Sequence, residues 1–291
     1  MNPSLLPPLR IPAFPPPWAE VFGEDEAGIF AEFEVAKVRF VLRWIRPGNF
    51  MMGSPKEEEG RYEDEGPPHE VTISQGFWLG ETPVTQAQWR AVMGDNPSRF
   101  EGPDELPAER VSWHDSQKFV RKLAAEHDGL FARLPSEAQW EYACRAGTDT
   151  AFNNGSACTL PTGKDPALDE LGWFNENSEG KTHPVKGKLP NRWGLYDMHG
   201  NVWEWCEDAW EAAAYQNRRD GATDPRVTSA DENAGRVVRG GAWYSRARLC
   251  RAASRSAYEL GFRRSDLGLR LAAGREPGAA EPPGAERPPG G

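Results

Sequence analysis

The 291-residue chain is short of cysteine, of histidine and of long apolar runs, and each shortage removes a class of protein. A chain of this length is no disulfide-stapled miniature, and its four cysteines, Cys144, Cys158, Cys206 and Cys250, show no CxxC or finger spacing, which leaves reduced, mostly structural thiols as the expectation. The five histidines have neither H-x-x-H nor H-E-x-x-H spacing, so the helical zinc motifs are absent as well. No stretch approaches the length of a membrane-spanning helix, and the opening MNPSLLPPLRIP has no basic segment leading into an apolar one. A soluble, cytoplasmic protein is therefore expected. Basic residues are in deficit, 34 against 44 acidic, and the net charge of −10 argues against general binding to a phosphate backbone. Walker loops, dinucleotide fingerprints and G-x-S-x-G elbows do not occur.

What the sequence does have is aromatic and apolar residues, 11% and 38% of the chain, enough to build a core. Seven prolines crowd residues 1–17, which reads as an extended leader or linker. The tail from Gly274 to Gly291 is rich in proline and glycine without apolar period, and is expected to be disordered. Residues 18–273 between them read as one domain. Three helices stand out. One follows Thr85 and stops at Gly94, one follows Ser112 with Asp115 completing a capping box and stops at Gly129, and one follows Ser136 with Gln139 and stops at Gly147. Strands are expected at Arg39–Ile45, Gly76–Leu79, Arg236–Trp243 and Leu267–Leu271, while Leu171–Trp210 offers no sustained period. The result is an α+β domain of short strands, about three helices and much ordered loop. The acidic run from Lys56 to Gly66 reads as a solvated loop, and Cys144 and Cys250 as core.

Four segments, GNFMMGSP (Gly48–Pro55), RLPSEAQWEYACRAGT (Arg133–Thr148), GLYDMHGNVWEW (Gly194–Trp205) and RVVRGGAW (Arg236–Trp243), resemble the formylglycine-generating enzyme family, also called sulfatase-modifying factors. The resemblance implies a C-type lectin-like fold. For the enzymes it also implies copper held by two cysteines after the RGG turn, oxidising a substrate cysteine with oxygen. Here Ser245 stands at the first cysteine position and Cys250 at or beside the second. A hydroxyl is a hard, protonated donor and cannot replace the thiolate that Cu(I) prefers, so copper is not expected.

The segment from Arg239 to Ala273 is also similar to the closing segment of the variable proteins diversified by retroelements, a subgroup of this fold. That resemblance implies a framework of Arg239, Gly240, Gly241, Trp243, Arg248, Cys250, Arg251, Arg255, Arg263, Gly268 and Arg270. Between these, Tyr244, Ser245, Arg246, Leu249, Ser254, Ser256, Tyr258, Phe262, Arg264, Ser265 and Asp266 would form a ligand surface for a protein or other macromolecule. Tyrosine, serine and arginine are the residue types general recognition surfaces use. The GLYDMHGNVWEW motif resembles the family's calcium loop, implying ligands from Asp197, the Gly200 and Val202 carbonyls, and Glu204. Calcium is accordingly the expected ion, a binding protein the expected function with a copper-dependent oxidase as its alternative, and the Pro-rich ends offer attachment to a larger assembly.

Overall fold

The computed structural model describes residues 14–274 apart from Arg219 and Glu232. The proline-rich residues 1–13 and the tail beyond Gly274 lie outside the described residues. Phe14 already belongs to the domain, edge-on to Trp44 and Trp78 and stacked on Phe22, so the folded part begins ahead of Trp18.

The chain opens with a meander of β1 (Val21–Asp25), β2 (Gly28–Val35) and β3 (Val38–Ile45). Along β2, Ala31, Phe33 and Val35 turn inward while Glu32 and Glu34 turn out, the period-2 pattern of a sheet with one wet face. β4 (Gly48–Met52) and β5 (His69–Ile73) form a second hairpin, and β6 (Phe77–Gly80) returns beside β3. The two capped helices α1 (Gln86–Met93) and α2 (Trp113–Glu126) follow, stacking Trp89 on Phe119 at 5.2 Å between ring centroids. After β7 (Ala132–Arg133) comes α3 (Glu137–Arg145), buried on all sides, and then the short α4 (Pro166–Leu171).

The three capping boxes at Thr85, Ser112 and Ser136 form as the sequence predicts, and Gly94 stops α1 in the left-handed conformation. Two stops differ. α2 ends at Glu126, ahead of Gly129, and α3 turns left-handed one residue early, at Ala146 with φ 45°. The region from Leu171 yields a strand, β8 (Trp203–Ala209), almost wholly buried and hence without alternation to reveal it. α5 (Ala214–Asn217), β9 (Ala222–Thr223) and β10 (Arg236–Arg239) complete the middle of the chain; β11 (Arg255–Tyr258), β12 (Leu267–Gly268) and β13 (Ala272–Ala273) close it.

Three sheets result, ordered β1-β2-β3-β6-β13-β7, β11-β10-β8-β12 and β4-β5-β9. β13, near the end of the described chain, sits between β6 and β7, so the first sheet closes only with the C-terminal residues. The four-stranded sheet carries the segment that the sequence marks as functional on β10 and β11 and in the loops beyond them.

Candidate functional site

Four arginines of that segment are buried and each is neutralised. Arg255 bonds both oxygens of Glu137 at 2.7 and 2.9 Å, and Arg239 reaches Glu137 at 3.4 Å and also pairs with Glu141. Arg251 meets Glu65 at 2.5 and 2.8 Å and Glu58 at 2.5 Å. Arg270 clasps Glu204, Nε to Oε2 at 2.9 Å and Nη2 to Oε1 at 2.8 Å. Burial pushes the Glu137 and Glu141 carboxyls up, but the guanidiniums around them outweigh it and hold both below the usual range: Arg255 and Arg239 at Glu137, Arg145 and Arg239 at Glu141. The acidic run from Lys56 is thus not simply a solvated loop, since it turns Glu58 and Glu65 inward to Arg251. Arg263, expected in the framework, is instead half exposed and paired with Asp115 at 2.7 Å.

Between these anchors the chain is bent by Gly240 and Gly241, at φ 97° and 73°. A Cβ on Gly241 would lie 2.5 Å from Cys250 Sγ and 2.9 Å from the Leu249 carbonyl, so close approach as well as φ demands glycine. Ser245 then closes a turn, its Oγ accepting the Ala242 N–H at 2.9 Å. A 3₁₀ turn over Ala247–Cys250 leads to β11. Trp243, half-buried, donates Nε1–H to the Ser265 carbonyl at 2.8 Å and so ties the start of the segment to its end.

The segment encloses a concavity of about 470 Å³ whose lining includes eight of the eleven expected contact residues: Tyr244, Ser245, Arg246, Leu249, Ser256, Tyr258, Arg264 and Asp266. Phe262 lies outside the lining but stacks on Tyr258 at 4.9 Å, and Ser265 is also outside it. Ser254 is corrected: it is fully buried and presents nothing to a ligand. Ser245 and Asp266 line the concavity from buried positions, Asp266 only 4% exposed, whereas Tyr244 is 61% exposed. Burial pushes the Asp266 carboxyl up against the pull of Arg264, whose Nη2 lies 3.0 Å from Oδ2. Sequence reasoning missed three lining residues. Trp203 stood in a quoted motif, Arg248 was placed in the framework, and Asn175, in an irregular loop, gave no signal.

The expected metal ligands are placed otherwise. Glu204 gives both oxygens to Arg270 and also accepts the Trp140 Nε1–H at 2.6 Å, so a cation there would meet a guanidinium already in contact with the carboxylate. Asp197 accepts the Lys186 N–H at 2.9 Å and an Asn201 Nδ2–H at 3.2 Å. With Gly200 and Val202 offering carbonyls alone, the set does not fit calcium in this arrangement. Nor do Ser245 and Cys250 fit copper: the hydroxyl is engaged by Ala242, and burial pushes the Cys250 thiol up, away from the thiolate. Cys144 and Cys158 are likewise buried, each thiol pushed up to about 12. Among the described residues no group of three or more His, Cys, Asp or Glu is placed to hold a metal ion, and no helix is long and apolar enough to cross a membrane.

Comparison with known proteins agrees with the fold. Variable protein 1 of Treponema denticola superposes with a TM-score of 0.73 at 31% identity, over 84% of this chain and 98% of that one. A chaperone protein LppX of Paenibacillus barcinonensis is 29% identical over 75% of this chain and 86% of its own length. The formylglycine-generating enzyme of Thermomonospora curvata is 31% identical over 64% of this chain, which spans only 63% of that enzyme. The sulfatase-modifying factor enzyme 1-like domain matches residues 31–275, and the chain belongs to that family.

Proposed function

We propose that the protein is a binding protein that presents the concavity between Tyr244 and Asp266 to a macromolecular ligand. One observation carries the reading. Tyr244, Arg246, Ser256 and Tyr258 line the concavity, yet among the described residues none of their side chains makes a hydrogen bond or ion pair to the rest of the protein. Arg239, Arg251, Arg255 and Arg270 of the same segment, by contrast, are each paired with a glutamate. Side chains whose polar atoms are not committed to the fold are free to bond a ligand, and tyrosine and arginine are the types that contribute most at interfaces. The likeness to a variable protein supports the same reading. Copper-dependent oxidation, the activity that the resemblance to formylglycine-generating enzymes implies, is disfavoured here because Ser245 replaces one thiolate and burial pushes the Cys250 thiol up, away from the thiolate.

The test is selection of short random peptides on the intact protein, followed by Tyr244→Ala and Tyr258→Ala. Loss of the selected binding is expected in both, with an unchanged melting temperature in Tyr244→Ala and a modest fall in Tyr258→Ala, whose ring packs on Trp205 and Phe262. Peptides indifferent to both substitutions would refute the reading, as would stoichiometric Cu(I) binding in an anaerobic titration followed, once oxygen is admitted, by aldehyde formation on a cysteine-containing sulfatase peptide.

A further inference from the structure

The concavity is electrically one-sided. Arg239, Arg251, Arg255 and Arg270 each contact a carboxylate, whereas Arg246 and Arg248 have no carboxylate within 4 Å among the described residues, in a chain with ten more acidic than basic residues. The Arg248 guanidinium lies over the Tyr62 ring at 5.1 Å, and its buried Nε–H has no acceptor. At the base, the converse holds. Asp266 is buried, its Oδ2 is paired with Arg264, and its Oδ1 has no donor. Two unpaired guanidiniums and one unpaired buried acceptor thus line the same space, with Tyr244, Tyr258 and Trp203 beside them.

A buried acceptor without a donor is costly, so a ligand that supplies one gains more than an average hydrogen bond. The same carboxylate repels a compact anion without hydrogens, which disfavours phosphate groups near the base. A nucleic-acid backbone would need a longer basic track, and Arg263 is already paired with Asp115. An acidic peptide meets all the conditions together. Its carboxylate matches the planar fork of guanidinium, its amide N–H supplies the donor, and its apolar atoms can cover the tyrosine rings.

Resting on the binding reading above, we infer that the concavity takes an acidic segment of a partner protein, with an Asp or Glu carboxylate on Arg246 and Arg248 and an amide N–H donated to Asp266 Oδ1. The experiment is the same selection of random peptides on the full chain, read for charge. Peptides enriched in Asp and Glu are expected, with affinity falling about tenfold or more in Arg246→Glu/Arg248→Glu and in peptides whose acids are replaced by amides. Arg246→Gln alone, at an exposed residue, gives a smaller loss and keeps the test open if the double variant folds poorly. Selected peptides that ignore the charge reversals but are lost with Tyr258→Ala would overturn the acidic assignment and leave the recognition surface standing. Single-stranded DNA or heparin displacing the peptides at comparable affinity, with the same dependence on Arg246, would overturn the choice of a peptide.

Discussion

Two groups of arginine lie within one short stretch of chain, and they have opposite fates. Arg239, Arg251, Arg255 and Arg270 are buried against glutamates, while Arg246 and Arg248 line a concavity with no carboxylate beside them among the described residues. Residue type does not separate them; the partner does. A guanidinium without a carboxylate cannot be buried at tolerable cost, so the supply of buried acids at Glu58, Glu65, Glu137, Glu141 and Glu204 decides which arginines build the fold and which remain for a ligand.

The comparison breaks most severely where one buried partner is removed. Glu137→Gln strands Arg255 and leaves Arg239 to Glu141 alone, Glu204→Gln strands Arg270, and each should cost about 3–5 kcal/mol in denaturant unfolding. Added calcium should restore neither, because the lost interaction is with arginine; a calcium-dependent recovery in Glu204→Gln would contradict the assignment of that carboxylate. Next in size is Gly241→Ala, which forces φ 73° on a residue with a Cβ and drives that Cβ towards Cys250 Sγ. About 2–3 kcal/mol is expected by the same measurement.

A buried acid that lacks an arginine clasp sharpens the contrast. Glu109 accepts only backbone N–H groups of Arg99 and Phe100, and burial pushes its carboxyl up to about 7, against the weaker pull of those bonds and of Arg110 and Arg99. With the folded value above the unfolded 4.5, the folded state holds the extra proton, so this contribution to stability is full below about 4.5 and is lost as pH rises towards 7. Melting curves across that window should show the decline, and Glu109→Gln should flatten it. The smallest effects belong to the concavity. Tyr244→Ala and Arg246→Ala should each change unfolding free energy by no more than about 0.5 kcal/mol, and a loss comparable to that of Glu137→Gln would show that these side chains are structural after all.

Local chemistry made the helices legible: Thr85, Ser112 and Ser136 cap their own first turns, and nothing distant competes with them. β8 was not legible, because its residues are buried on both faces and lose the alternation that marks a strand. β1 and β2 also passed unread, their glutamate-rich alternation outside the quoted motifs. At the site, the spacing of the closing segment located the concavity but not the burial of Ser254 or the exposure of Arg263. Those depend on Asp115 and on other residues far away in sequence. Glu204 shows the same limit. Its motif pointed to an ion, and the partner that occupies it, Arg270, lies 66 residues further on.

That separation has a consequence for synthesis. Arg239 reaches Glu141 across 98 residues, Arg255 reaches Glu137 across 118, and Arg251 reaches Glu65 across 186. Until the ribosome has released this stretch, Glu65, Glu137 and Glu204 lack the arginines that neutralise them, Glu141 has only Arg145, and β13 has not yet entered the first sheet. The nascent chain therefore cannot complete its core by stages from the N-terminus, and a chain ending at Val238 should remain protease-sensitive throughout, although it already carries all five of those glutamates. Resistance of such a truncated chain would show that the glutamates can be buried without their arginines. Folding in this protein waits on the same short segment that furnishes its recognition surface, so a frameshift or truncation there removes the scaffold together with the binding face.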